Sequence, residues 1–283
     1  FPPDNGSRIR AYQIIRALSV EHNVTVVAFH PSSQQNTKQI GGNTDCDMKG
    51  VRIYPMLVDP YRFVNIPQLA KFASPIPVAC WPSRGMRQAV KSLIDEDDWE
   101  AVIAFQEPVA LYAAQLKSVP RILDVDVSSE YRRYQEYKKA ESFSAKLRSW
   151  LGMQKASLFE KALFKQFDAC TFTLPAEVDF FRSRYAQPNR FSLSPNGVDC
   201  QSKNPELFND ARPYSLIYNG ALTYSANYDA MQYFLADIYP LIRREIPEVS
   251  LTITGSLQGV DLDNLALNDS VHLSGYVDDI RPL

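Results

Sequence analysis

The chain has 283 residues, a formal net charge of -2 and 45% hydrophobic residues, and its pI is about 6.0. A chain of this length exceeds the size at which one hydrophobic core usually stops growing, so two domains are expected. A nucleic-acid-binding domain would usually have a pI above about 9, so the composition argues against nucleic acid as a partner.

The cysteines and the apolar runs exclude further classes. No two cysteines have C-x-x-C spacing and no histidine stands at metal-ligand spacing, so neither a zinc site nor a disulfide framework is expected. The longest apolar run, around Val24 to Phe29, is shorter than the roughly 18 residues of a membrane span and than the about 7 to 15 residues of a secretory core segment. We therefore expect a reduced, cytoplasmic setting.

Helix and strand patterns alternate through the first 198 residues. The first helix is predicted from Ser7 to Val20, with Asn5 or Ser7 as its N-cap, and a buried strand follows from Val24 to Phe29. Further strands are predicted at 51–58, 101–105, 121–125 and 169–173, with helices at 83–94, 130–165 and 176–185. This alternation is typical of a parallel, doubly wound α/β sheet.

The polar stretch 199–212 interrupts the pattern, which then starts afresh. Strands are predicted at 215–218, 250–254 and 271–274, and a helix at 228–245. We therefore predict an N-terminal domain over 1–198, a linker over 199–212 and a partial C-terminal domain over 213–283. Because the chain opens directly on a loop and helix and ends about 70 residues into the second domain, we expect it to be cut short at both ends, with the first strand missing.

Three groups of segments stand out: Pro2–Arg10 (PPDNGSRIR), Ser194–Asp199 (SPNGVD), and a C-terminal series formed by 218–227, 239–243, 252–255 and 271–277. Together they resemble family 4 of the retaining glycosyltransferases. Their order and spacing together carry the resemblance. It implies a GT-B fold with two Rossmann-like domains, and transfer of a hexose-type sugar from a nucleotide-sugar donor to a glycan or lipid-linked acceptor, with retention of configuration.

The first loop is a candidate donor-binding site. Gly6 permits a close approach of the backbone to a ligand, and the N-terminus of the following helix attracts phosphate. Arg8 and Arg10 add positive charge. The alternative is an ordinary strand-to-helix turn with solvated arginines.

A second candidate donor loop follows the strand at 215–218. Gly220 permits backbone approach to the donor diphosphate, but the lysine that relatives carry about six residues later is replaced by Ala226. Asn227 then either shares in diphosphate binding or simply caps the helix predicted from Tyr228. We include Gly220 and Asn227 among the donor-binding candidates.

The turn after the last predicted strand contains Gly275, Tyr276 and Val277. Open α/β sheets bind ligands at this edge, and the resemblance places the turn beside the nucleotide base. A plain strand-ending turn is the alternative.

Asp126 and Gln106 are the candidate catalytic residues. Each stands where the resembled family often has histidine, Asp126 at the end of the strand 121–125 and Gln106 in a Gln-Glu-Pro segment. Asp126 would accept a hydrogen bond from the transferred sugar or stabilise an oxocarbenium-like centre, or it is a helix cap. The D-x-D spacing of Asp124 and Asp126 recurs elsewhere, so we infer no metal and no cofactor beyond the nucleotide-sugar co-substrate.

The segment 130–165 contains nine Lys or Arg residues against four Glu, interleaved with apolar residues. Such a helix could bind peripherally to the inner face of an anionic membrane and bring a lipid-linked acceptor to the cleft of the enzyme. An ordinary solvated helix is the alternative.

Other function classes remain open to different degrees. A nicotinamide-dependent oxidoreductase is disfavoured because G-x-G-x-x-G is absent from every predicted strand-helix junction. A catalytically silent GT-B-like binding or scaffold protein and a sugar-nucleotide epimerase are the alternatives to glycosyl transfer.

Overall fold

The computed structural model describes residues 6–29, 50–56, 67, 74, 77, 81–198, 212–277 and 280. The chain divides into two compact units, Phe1–Val198 and Asp199–Leu283. Each unit has its own parallel β-structure and its own hydrophobic core.

The first unit alternates strands and helices in the predicted order. Its strands are β1 (Val24–Phe29), β2 (Val51–Met56), β3 (Val102–Phe105), β4 (Arg121–Asp126), β5 (Ala169–Phe172) and β6 (Phe191–Leu193). Its α-helices are α1 (Gly6–Leu18), α2 (Arg84–Glu96), α3 (Glu107–Ala113), α4 (Ser129–Lys139), α5 (Phe143–Phe164) and α6 (Pro175–Arg182).

The described strands of this unit form two parallel sheets. β1 pairs with β2, and the other sheet has the order β3-β4-β5-β6. Because all four strands of the second sheet are parallel, their carboxyl ends lie at one edge, where α/β folds usually bind ligands. The core beneath is aromatic: Phe164, Phe172, Phe181 and Phe191 have ring centroids 4.9 to 6.0 Å apart.

The helix predicted over 130–165 is two helices. α4 ends at Lys139, and Ser142 begins α5 by accepting a hydrogen bond from the Ala145 N–H at 3.2 Å. A serine N-cap satisfies one of the unpaired N–H groups of a helix start, which favours a new helix at this position.

The second unit is a three-stranded parallel sheet with the order β7-β8-β9, where β7 is Ser215–Asn219, β8 is Ser250–Thr254 and β9 is Val271–Gly275. Helix α7 (Ser225–Tyr233) and helix α8 (Tyr239–Glu245) are joined by a π-helical turn, Phe234–Ile238. A single helix was expected here, beginning at Tyr228. Pro240 accounts for the interruption, since proline lacks an N–H and its ring clashes with the carbonyl four residues earlier.

Candidate functional site

Two residues at the carboxyl edge of the β3-β4-β5-β6 sheet have unusual backbone conformations. Gln106, directly after β3, has φ 70° and ψ 159°, and Asp126, the last residue of β4, has φ 63°. Positive φ is uncommon outside glycine, and such residues gather at functional sites where the surrounding structure holds them in place. The strain therefore marks the two positions that the sequence also singled out.

The side chains of these residues meet. Gln106 Nε2 donates to Asp126 Oδ2 at 3.2 Å, and Ser7 Oγ donates to the same oxygen at 3.0 Å. Ser7 lies in the first turn of α1, so the N-terminus of that helix is brought to the carboxylate. We call Ser7, Gln106 and Asp126 the Asp126 cluster.

Two hydrogen bonds to main-chain carbonyl groups hold the backbone of the Asp126 cluster in place. The Gln106 N–H donates to the Asp124 carbonyl at 2.8 Å, and Thr173 Oγ1 donates to the Asp126 carbonyl at 2.9 Å. The two strained residues are thus attached to neighbouring strands, which stabilises conformations that would otherwise relax.

Asp124 has a different role from Asp126. Its carboxylate accepts two hydrogen bonds from Arg10, at 2.8 Å from Nε and 2.7 Å from Nη2, and a third from Thr171 Oγ1 at 2.7 Å. Arg10 also donates to Ser194 Oγ and Asn196 Oδ1, each at 3.1 Å. The hydrogen bond with Asp124 raises the pKa of Arg10. This buried ion pair joins α1, β4 and the 194–198 segment.

A group of buried carboxyl side chains lies behind the Asp126 cluster, and we call Glu107, Glu130, Glu160 and Glu177 the buried carboxylate cluster. Two of its members, Glu160 and Glu177, bond to the start of α4, where Glu130 itself lies. Glu177 Oε1 accepts from the Ser128 N–H at 2.9 Å, Glu160 Oε2 from Ser128 Oγ at 2.6 Å, and Glu160 Oε1 from the Glu130 N–H at 2.9 Å.

Three of these glutamates have pKa values raised by burial. Burial, together with the charge of Glu107, raises the pKa of Glu160 well above its ordinary value. Burial also raises the pKa values of Glu130 and Glu177. The common cause is desolvation, since burial disfavours the charged form of a carboxyl group.

In the second unit, three glycines lie at the carboxyl ends of the parallel strands, and we call Gly220, Gly255 and Gly275 the glycine edge. The Gly255 N–H donates to the Gly275 carbonyl at 2.8 Å, and the Gly220 N–H donates to the Thr254 carbonyl at 3.3 Å. A Cβ on Gly255 would lie 2.7 Å from the backbone of Ala221. Only glycine allows these loops to approach so closely.

The start of α7 lies next to the glycine edge in the sequence. Asn227 Nδ2 donates to the Ala221 carbonyl at 3.0 Å, and a Cβ on Gly220 would lie 2.9 Å from that same nitrogen. Tyr276, directly after Gly275, is 72% exposed, and Val277 is partly buried. The sheet edge thus combines accessible backbone, a helix N-terminus and an exposed aromatic ring.

Several sequence interpretations need correction. Ser7 is not the N-cap of α1 but lies inside the helix and bonds to Asp126. Asn227 is not the cap of its helix, which begins at Ser225. Asp126 is not the cap of α4, because Ser128 accepts from the Tyr131 N–H in that role.

The two arginines that follow the first loop differ in their surroundings. Arg10 is committed to the buried pair with Asp124, whereas Arg8 is exposed in the first turn of α1. Gly6 is exposed, and a Cβ there would meet nothing within 4 Å, so packing does not require glycine at that position. Arg10 therefore cannot add charge to a donor site.

Two features of the site were not predicted from the sequence. Asp124 appeared only in a D-x-D spacing of little information, although it anchors the network, and its place on a buried strand was the one available signal. Gly255 was quoted for the resemblance without a role, although a glycine directly after a strand often marks a close backbone approach.

The described residues show neither metal-binding nor membrane-spanning features. In that part of the chain no three His, Cys, Asp or Glu side chains are grouped so as to hold a metal ion. Within the same residues no helix has both the length and the apolar character required to cross a membrane.

The fold and the geometry of the site can be compared with those of known proteins. No protein-family model and no curated protein matches the chain. The structure of Phytolacca americana UGT2 complexed with UDP-2fluoro-glucose and pterostilbene is similar, with 12% identity, a TM-score of 0.48, and coverage of 98% of this chain and 71% of that chain. The OtsA apo structure is 11% identical with a TM-score of 0.50, and the match covers 99% of this chain and 72% of that chain. The likeness to the OtsA structure concerns the fold alone, and the predicted fold class is confirmed: the chain has a mixed α/β, GT-B-like fold with parallel sheets.

Proposed function

We propose that this protein is a glycosyltransferase that moves a sugar from a nucleotide-sugar donor to a glycan or lipid-linked acceptor. The observation that carries the proposal is the Asp126 cluster, in which two strained residues and a helix N-terminus meet at the carboxyl edge of a parallel sheet. A carboxylate oriented by two donors is suited to accept a hydrogen bond from a sugar hydroxyl or to stabilise developing positive charge on the ring.

Donor binding is assigned to the second unit. The glycine edge and the N-terminus of α7 offer backbone N–H groups and a partial positive charge to a diphosphate. Tyr276 and Val277 are proposed to lie beside the nucleotide base, and Asn227 to orient the loop through its bond to Ala221. Gly6 and Arg8, in the first unit, are proposed as donor-binding residues on the sequence resemblance alone.

The finer assignment rests on the sequence resemblance. We propose a retaining, family 4-like hexosyltransferase that needs no metal or cofactor and acts in polysaccharide biosynthesis at the inner face of a membrane. Helix α5 supports the membrane contact, because Phe143, Leu147, Trp150, Leu151 and Leu158 are all exposed. They fall within an arc of about 100° on one side of the helix.

The experiment measures release of nucleoside diphosphate from uridine and guanosine diphosphate sugars by the intact gene product, in the presence of lipid-linked and free glycan acceptors. Asp126→Asn removes the charge while keeping the shape, so we expect kcat to fall at least about 100-fold with little change in the unfolding midpoint. Asp179→Asn, an exposed position on α6, is the matched control. Unchanged turnover in the Asp126 variant would show that this carboxylate has no role in the chemistry.

A further inference from the structure

A pocket of about 370 Å³ opens between α4, α5 and the residues that follow α6. Glu130 and Tyr185 line its inner part, while Gln154, Lys161 and Arg184 are exposed at its rim. No residue of the Asp126 cluster or the glycine edge lines this pocket, so it lies outside the positions proposed for donor binding and catalysis. Its volume is in the range of small-molecule sites.

Two polar atoms in the inner part of the pocket have unmet hydrogen-bonding capacity. Within the part of the chain that the structure describes, neither the buried Glu130 Oε2 atom nor the buried Tyr185 hydroxyl has a hydrogen bond of normal geometry, although Ser157 and Tyr185 lie close enough to Glu130 to lower its pKa. Glu130 as a whole is only 5% exposed. Buried polar atoms are nearly always paired in folded proteins, so a carboxylate oxygen and a phenol that share one pocket point to a polar ligand.

The protein holds Glu130 in place. Its N–H donates to Glu160 Oε1 at 2.9 Å, which fixes the first turn of α4 against α5. The carboxylate can therefore accept a ligand hydroxyl without further ordering of the backbone, and Tyr185 can donate to or accept from the same ligand.

The rim is cationic. The Arg184 guanidinium stacks on the Phe180 ring with its central carbon 3.6 Å from the ring centroid, so the arginine is oriented by the protein. Lys161 lies one turn along α5 from Ser157, and both line the pocket. Arginine and lysine together are a common arrangement for phosphate, since both carry donors and positive charge.

We propose that this pocket binds a small phosphorylated polyol, with a hydroxyl on Glu130 and Tyr185 and the phosphate between Lys161 and Arg184. Gln154 and Ser157 supply neutral donors and acceptors for further hydroxyls. A sugar phosphate or glycerol phosphate has this combination of groups.

Calorimetric titration of the chain with glucose 6-phosphate and with glycerol 3-phosphate tests the proposal, beside glucose, inorganic phosphate and serine as separate probes. We expect at least one phosphorylated polyol to bind at least about tenfold more tightly than glucose or phosphate alone. Binding of neither phosphorylated polyol, equal binding of inorganic phosphate, or tighter binding of serine would overturn the proposal.

Variants locate the site. Lys161→Gln and Tyr185→Phe should each weaken binding of the phosphorylated polyol by about tenfold, because each removes one ligand contact. Lys165→Gln, at the residue that directly follows α5 and outside the pocket, is the matched control. Thermal unfolding of each variant checks that it is folded, and unchanged affinity in folded Lys161→Gln and Tyr185→Phe would place the ligand elsewhere.

Discussion

Two aspartates, two positions apart on β4, have opposite roles. Asp124 is buried and neutralised by Arg10, whereas Asp126 turns away from the strand through its positive φ and meets Ser7 and Gln106. Alternation along a strand places both side chains on the same face, so the backbone turn at Asp126 separates a structural acid from a candidate catalytic one.

The Arg10–Asp124 pair yields the first prediction. Arg10→Met removes one partner of a buried, bidentate pair, leaving Asp124 without its countercharge. We expect the free energy of unfolding of the first unit to fall by about 3 kcal/mol, since breaking a buried pair from one side is strongly destabilising. Urea unfolding measures the change, with Arg132→Met, an exposed position on α4, as the control. Equal stability of the two variants would contradict a structural role for the pair.

The glycine edge yields the second prediction. Gly255 has φ +109°, and an added Cβ would lie 2.7 Å from the backbone of Ala221. Gly255→Ala should therefore destabilise the second unit by about 2 kcal/mol or more, through strain and a clash with main chain that cannot move aside. Gly197→Ala, where a Cβ would meet nothing within 4 Å, is the control. Urea titration compares the two, and similar losses would show that the close approach is not required.

At the scale of elements, α5 has two opposite faces. Its inner face, with Ala156, Phe159 and Leu163, packs into the first core. We call the exposed residues Phe143, Leu147, Trp150, Leu151 and Leu158 the α5 outer face. Most globular helices expose polar residues on the side away from the core, so an apolar outer face indicates a second contact surface.

Vesicle binding tests this surface. The α5 outer face should bind vesicles of phosphatidylglycerol and phosphatidylcholine more strongly than vesicles of phosphatidylcholine alone, since apolar insertion and charge attraction act together. Leu147→Ser with Leu151→Ser should reduce co-sedimentation several-fold, while Leu267→Ser, partly exposed in the second unit, serves as the control. Equal sedimentation with both lipid compositions would remove the anionic membrane from the proposal.

The buried carboxylate cluster predicts a pH dependence. Folding raises the pKa of Glu160, so the folded state binds its proton more tightly than the unfolded state does. The resulting contribution to the free energy of unfolding is fully present below the ordinary glutamate pKa of 4.5. It is lost as the pH rises through the higher pKa that Glu160 has in the folded state. Each bound proton changes the unfolding free energy by at most about 1.4 kcal/mol per pH unit.

Glu160→Gln replaces the protonated acid with a neutral isostere, so its stability relative to wild type should increase as pH rises from 5 towards neutrality. Thermal unfolding between pH 4 and 8 measures the difference. Glu141→Gln, an exposed position between α4 and α5, controls for general loss of one negative charge. A constant offset between wild type and Glu160→Gln at all pH values would mean that this proton is not retained on folding.

At the scale of the whole molecule, the two units have separate cores. The first is built on residues such as Phe172 and Phe181, and the second on Leu251 and Ile253, with no member in common. Contacts between domains of one chain are usually weaker than a core, so we expect two calorimetric unfolding transitions.

Core truncations assign these transitions. Phe181→Ala should lower one transition by the equivalent of about 3 to 5 kcal/mol, and Ile253→Ala should lower the other by about 2 to 5 kcal/mol, since each removes a fully buried side chain. Differential scanning calorimetry of the two variants gives the result. If both substitutions shift the same single transition, the units unfold as one.

The sequence by itself determined the order of the elements and the α/β class. Strands such as Val24–Phe29 and Ala169–Phe172 are short apolar runs between helices. They can be predicted because a short apolar run of this kind is itself the local signal of a buried strand. The resemblance identified Gln106 and Asp126 as candidates, since both stand at ends of predicted strands where the resembled family often has histidine.

Only the tertiary structure decided how those candidates are used. Hydrogen bonds between Ser7 and Asp126 join residues 119 positions apart, and the Arg10–Asp124 pair spans 114 positions. Local sequence carries no record of such distant partners, nor of the positive φ that turns Asp126 towards Ser7 instead of capping α4. The choice between a cap, a buried ion pair and a candidate catalytic carboxylate was therefore made by long-range packing, because the same aspartate side chain suits all three.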